Sequence, residues 1–342
     1  MLHTFCSGLQ VTFCILPLVA TLLIPSPELF AQDMPIVGEN RNPYDSLDPA
    51  LKAVVERVTV KTGKREFSAA LEILDQAIEE YDENLDDHEL DERVVLETLR
   101  LNIARRFMAE RDYAASNTQY RVAARFFIEH LNHRAGPVGC MIALRGLNEL
   151  VRLDCEDARA DELNISAIEE SISLGSAASI GLAGQLSASY ADVPAEPDAP
   201  SGRERLLEII TEQIEVLEAG YSEAPSEELA LALSSFYDAR ARFYSDDVVE
   251  FHRLSLTREA FIAKAVQEFD GSLKLCMHAA KAAVLRASRI QHRYPVDARR
   301  TLGETIELLK DAERTIGPRV LMHIEAVEQM EDRISGVNTG NR

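Results

Sequence analysis

With 342 residues, 46% of them apolar, the chain is long enough for one elongated or two compact domains and needs no disulfide staples. Lys and Arg number 36 against 57 Asp and Glu, a formal charge of −21. That surplus of acid excludes nucleic acid, whose phosphates need neutralising, and disfavours anionic lipid. Only 16 glycines, no Trp and long stretches of Ala, Leu, Glu and Arg point to helix.

The chain opens on a secretory-type segment, residues 1–31. Residues 11–24 are almost continuously apolar, Pro25 and Pro27 follow, and Ala31 offers a small residue for cleavage. Fourteen residues with Pro17 among them are short for a membrane span, so no stable span is expected after cleavage. The usual leading Lys or Arg is missing, which leaves an uncleaved anchor or a cytosolic protein as alternatives. Residues 32–47, polar with two prolines, read as a flexible leader to an exported, periplasmic or secreted protein. Beyond residue 31 the cysteines are Cys140, Cys155 and Cys276, an odd count with no CxxC. They are either small core residues or, for Cys140 and Cys155, a bridge.

A first half, 48–190, starts at Asp48-Pro49, a capping carboxylate before a proline whose missing N–H costs nothing. Leu51, Val54, Val55 and Val58 share one helical face; Phe67, Ala70, Leu74 and Ala77 share another after Gly63. The acidic run 82–92 lacks the glycine and ligand order of a calcium loop. Residues 100–124 then place Ala104 three before Phe107, turn at Glu110-Arg111-Asp112, and repeat Tyr113, Ser116, Tyr120 and Ala123 at helical spacing. Small and large residues alternating across a tight turn let two antiparallel helices dock. This unit, like 49–83, resembles the tetratricopeptide-repeat family. The resemblance implies an all-α fold of antiparallel hairpins stacked as a right-handed solenoid, with a pitch here nearer forty to fifty residues than the family's. Helices follow over 138–153 and 162–186, the latter interrupted by Gly175, Gly181 and Gly184, and residues 191–203 read as a linker.

A second half, 204–335, echoes the first at an offset of about 136 residues. Leu71-Glu72-Ile73 meets Leu207-Glu208-Ile209, Arg106-Phe107 meets Arg242-Phe243, and Cys140-Met141 meets Cys276-Met277. Six helices are expected, over 204–218, 226–244, 248–269, 272–291, 296–316 and 318–333, before a frayed tail at 336–342.

No nucleophile elbow, zinc-protease motif, P-loop or dinucleotide fingerprint is present, and no catalytic residue, cofactor or metal is assigned. His130 and His133 lie beside Glu129, too few ligands for a metal. Two binding surfaces remain. The family's first helices line a groove for a peptide or partner helix. By position this implies Thr98, Leu101, Arg105 and Met108, with Ser234, Tyr237, Ala241 and Tyr244 as counterparts, unless Tyr237 and Tyr244 are packing residues. The other surface is residues 274–300, seven basic residues to one acid. There Lys281, Arg286, Arg289 and Arg293 form either a stripe for an anionic partner or a counterweight to acidic neighbours. The function expected is a non-catalytic scaffold binding another protein or peptide. The alternatives are an adaptor docking an anionic partner or acidic glycan on 274–300, and an enzyme with a site between helices.

Overall fold

The computed structural model describes residues 48–82, 87–194, 200–270 and 272–336. The expected signal segment, the leader and all but Gly336 of the tail lie outside the described residues. Chain contacts divide the protein into two units, 1–52 and 53–342. Of the first, only 48–52 are described. They begin α1 (Pro49–Gly63), and Asp48 Oδ1 accepts from the Ala50 amide at 2.7 Å as the sequence predicts.

The described residues of the second unit form helices joined by short turns and loops, with no strand among them. After α1 come α2 (Phe67–Asp82), α3 (Asp87–Ala109), α4 (Tyr113–Glu129), α5 (Gly136–Arg152), α6 (Asp161–Ser173) and α7 (Ala177–Ala191). Then follow α8 (Pro200–Glu223), α9 (Glu227–Phe243), α10 (Val248–Glu268), α11 (Leu273–Ile290), α12 (Pro295–Ile316) and α13 (Leu321–Ile334). The starts are chemically marked. Asp112, Ser176, Ser226, Asp247 and Ser272 each accept a first-turn amide at their helix N-terminus.

From α2 onward each helix packs on its sequence neighbours. Helices two places apart also touch: α3 on α5, α5 on α7, α7 on α9, α9 on α11 and α11 on α13. Behind them α4 meets α6, α6 meets α8, and α10 meets α12. This is a two-layer array of antiparallel hairpins with odd-numbered helices in one layer and even-numbered helices in the other, an all-α solenoid.

Three tight turns join the layers in the first half. Arg65, Arg111 and Asp154 sit at φ of 61°, 64° and 61°, each just past the end of an odd helix. The next amide reaches back to close the turn: Glu66 to Lys61 O, Asp112 to Phe107 O and Cys155 to Leu150 O, at 3.0, 2.9 and 3.0 Å. This is the left-handed C-terminal motif usually built on glycine, made here with Arg and Asp.

Packing follows small-into-large logic. Ala104 is fully buried, and its carbonyl accepts from Ser116 Oγ across the turn at 2.9 Å. On α5, Gly139 and Gly146 receive the rings of Phe127 and Tyr120 from α4; a Cβ would lie 2.3 and 2.4 Å from ring carbons. The most extensive contact is α7 on α9. Ala, Ser and Gly dominate α7, and a Cβ on Gly184 would sit 2.7 Å from Ser235 Cβ. Of the three glycines read as interruptions, only Gly175, at φ 68°, ends a helix; Gly181 and Gly184 lie within α7, and Gly184 lets α9 approach. The apolar core runs without a break across 191–203, joining Leu206, Ile210 and Ile214 of α8 to Leu186 and Tyr190 of α7. A second apolar cluster begins around α9 and α10 and extends to Met330.

Two substitutions test this packing. Ala104→Leu should cost about 1–3 kcal/mol by overpacking, read as a lowered denaturation midpoint. Gly146→Ala, which helix propensity alone would favour by about 1 kcal/mol, should instead lower stability because Tyr120 fills the space.

Candidate functional site

The described residues contain no cluster of three or more His, Cys, Asp or Glu able to hold a metal, and the cysteines Cys140, Cys155 and Cys276 are free thiols, with no Cys140–Cys155 bridge. Burial pushes the Cys140 thiol up to about 12, so it is a core residue rather than a nucleophile. His130 Nδ1 lies 2.8 Å from the Phe126 carbonyl and His133 Nε2 lies 3.0 Å from Asp91, so the two imidazoles serve separate local contacts.

The groove residues transferred by family position do not converge. Leu101, Ser234, Tyr237 and Ala241 are buried, because α3 and α9 turn those faces into the array. Tyr237 is 6% exposed, packs edge-on to Phe261 at 5.5 Å and donates its hydroxyl to Glu218. It lines a cleft of about 320 Å³ among α8, α9 and α10, together with Tyr221, Phe261 and Lys264. Tyr244 is half-buried at the C-terminal end of α9, edge-on to Phe243. Arg105 is exposed on α3 beside the Tyr120 hydroxyl, with α5 and α7 between it and α9. Thr98 is exposed, and Met108 packs partly on the core.

The basic run on α11 is not an open stripe. Arg286 is 1% exposed, ion-paired with Glu259 of α10 and bonded to Thr301 of α12. Its Nε also lies 3.3 Å from His252 Nδ1, and that imidazole stacks on Tyr294 at 4.7 Å. Arg289 pairs with Asp192 at 3.0 Å and lies over the Phe251 ring. Arg293 lies over Tyr294. Arg286 and Arg289 share a helical face, but that face meets Glu259 and Asp192, so sequence spacing alone overstated their exposure. Of the four, Lys281 and Arg293 are exposed, on separate parts of the surface of the run.

What the fold assembles instead is a charged cluster around α9. Eight consecutive residues of that helix, 232–239, are buried, Asp238 among them. Arg258 of α10 donates to Asp238 Oδ1 at 2.6 Å and Arg242 to Oδ2 at 3.0 Å. Arg242 also pairs with Asp192, the residue that ends α7. Burial pushes the Asp238 carboxyl up, but Arg242 and Arg258 more than reverse this and hold it below its ordinary value. Ser234 Oγ sits 3.1 Å from His278 Nδ1 of α11. Burial, with Arg258 and Lys281 adding to it, pushes His278 down to about 3, so the ring is neutral. Lys281, one turn further along α11, feels Arg145 of α5, Arg258 and Arg242; burial first and then these cations lower its pKa, while Asp238 opposes them. Arg145 is half-buried and is itself lowered by burial and by Arg242.

Neither Asp238 nor Arg145 is apparent as a site residue in one dimension. Asp238 looks like one acid among 57, and only its place amid the buried run of α9 marks it. No helix among the described residues is long and apolar enough to cross a membrane. No protein-family model, curated protein or solved structure matches the chain.

The buried charges yield two predictions. Arg286→Ala should destabilise by about 3–5 kcal/mol in chemical denaturation, since it leaves Glu259 buried and uncompensated. Pairing it with Glu259→Leu should recover much of the loss. The folded chain holds His278 neutral where an unfolded chain protonates it near 6.5, so the unfolded state binds more protons between pH 6.5 and about 3. Stability is therefore complete above pH 6.5 and falls as pH drops through that window. His252 and His323, also lowered, act in the same direction. His278→Gln should flatten the slope of denaturation midpoint against pH.

Proposed function

We propose that the chain is a non-catalytic interaction scaffold of an exported compartment. In this reading its hairpins form a tetratricopeptide-like array that holds a partner protein or peptide along the odd-numbered layer. The observation that carries the reading is the layering itself. Every second helix from α3 to α13 packs on the next, presenting one continuous helical sheet of side chains. Local support comes from the unit 100–124, whose Ala104, Phe107, Tyr120 and Ala123 all turn into the hairpin core as the family pattern implies. The apolar stretch at 11–24 supports export.

A second reading, an adaptor for an anionic partner through residues 274–300, keeps Lys281 as a contact but loses Arg286 and Arg289, which are engaged with Glu259 and Asp192.

The test is capture of a partner from the exported fraction by the tagged chain, followed by titration with that partner purified and by cross-linking. Cross-links concentrated on α5, α9 and α11 are expected. Contacts confined to even-numbered helices would overturn the layer assignment, and a partner found only in the cytosolic fraction would overturn the export.

A further inference from the structure

The even-numbered layer parts between α8 and α10. Helix α4 meets α6, α6 meets α8 and α10 meets α12, but α8 and α10 fall short of such contact and each packs on α9 instead. The apolar core changes over at the same place. Leu233 and Tyr237 belong to the first cluster, Tyr221 to the second, and Phe261 packs on both. The cleft of about 320 Å³ lies at this seam, at the small end of the range for ligand sites.

The lining of the cleft combines an aromatic floor with an acidic rim. Tyr221 and Tyr237 are buried, and each meets the half-buried Phe261 edge-on, with ring centroids 5.3 and 5.5 Å apart. On the rim stand Glu218 of α8 and Glu268 of α10, both exposed. Each is held by a tyrosine of the floor from another helix. Tyr237 of α9 donates to Glu218 Oε1, and Tyr221 of α8 donates to Glu268 Oε2 at 2.7 Å. Burial first, then the bond to the glutamate, raises both phenols above their ordinary value, so they remain donors at neutral pH. One oxygen of each carboxylate is thus fixed in place. The other, Glu218 Oε2 or Glu268 Oε1, has no donor among the described residues. Lys264 of α10 also lines the cleft and is exposed, yet it pairs with neither acid.

We propose that this cleft binds an arginine side chain, presented by a basic segment of a protein that docks on the face formed by α8 and α10. The lining selects the ligand. Two carboxylates against one ammonium favour a cation, and the charge of −21 on the chain assists its approach. A guanidinium is weakly hydrated, stacks on aromatic rings and offers a planar fork to carboxylates at its edge. An ammonium, compact and strongly hydrated, gains less from such a floor. Leu233 and Pro225 supply apolar lining for the aliphatic stem. The tyrosines hold the glutamates still before the ligand arrives, which lowers the ordering cost of binding. Lys264 on the rim repels a second cation, so the site takes one. Because its walls are even-numbered helices, the site is separate from the partner surface proposed along the odd-numbered layer.

The test uses the full chain and three capped, fluorescently labelled heptapeptides of glycine and serine with a central arginine, citrulline or lysine, in anisotropy titrations. The arginine peptide should bind, its neutral isostere citrulline should not, and lysine should bind several-fold more weakly than arginine. Glu218→Gln and Glu268→Gln should each weaken arginine binding by about tenfold, the loss of one charge-assisted hydrogen bond. Tyr221→Phe and Tyr237→Phe keep the rings but release the acids, and should weaken it by a smaller factor. Lys264→Gln should strengthen it, which a merely structural role would not do. Glu307→Gln, on an exposed glutamate of α12 paired with Lys310, should leave it unchanged. Circular dichroism and denaturation midpoints should show the variants folded. Equal binding of the arginine and citrulline peptides, no binding by wild type, or equal loss in Glu307→Gln would overturn the site. Lysine binding as tightly as arginine would overturn the guanidinium assignment. Displacement by free agmatine at lower concentration than the peptide would overturn the protein segment as its source. Each of these failures leaves the scaffold reading standing, since partner capture and cross-linking test that reading by themselves.

Discussion

The pairing of Asp238 with Arg242 and Arg258 is the interaction on which the arrangement of the second half depends. A carboxylate inside a helix that is buried over eight residues is expensive to desolvate, and a lone charge there would not survive. Its two arginines come from different places: Arg242 one turn along α9, and Arg258 from α10 across the layer. Arg242 then reaches Asp192 at the end of α7, and Asp192 reaches Arg289 on α11. One chain of alternating charges therefore joins α7, α9, α10 and α11. Such a network adds little net stability over an apolar replacement, but it penalises any packing that separates its members. In an array of similar amphipathic helices it acts as a device of register: α9 cannot slide or rotate without stranding a buried charge.

The same helix explains the composition of its neighbour. Because α9 is enclosed by α7, α8, α10 and α11, something has to come close to it on every side. On the α7 side this is met by removing side chains. Gly184 faces Ser235, where a side chain would not fit, and much of the rest of α7 is Ala and Ser. Small residues bring the backbones together and recover dispersion contacts that long side chains would otherwise supply. The close approach also places Asp192, at the end of α7, within reach of Arg242. Packing and electrostatics are thus one arrangement, with the small stripe positioning the acid that the arginine needs.

Much of this architecture was legible in one dimension, and the boundary of legibility is physical. Helix ends announce themselves locally, since Asp48, Asp112, Ser226, Asp247 and Ser272 cap through their own side chains. The hairpin at 100–124 was readable because its small and large residues meet across a short turn. Gly181 and Gly184 were misread as breaks, because a glycine that ends a helix looks like one that lies inside it, as Gly184 does where α9 comes close, until the neighbour is known. The basic run on α11 misled for a related reason. Spacing gives the face of a helix but not what lies opposite, and Glu259 and Asp192, 27 and 97 residues away from their arginines, decide which cations are spent. Long-range pairing of charge is the part of a fold that local pattern carries least.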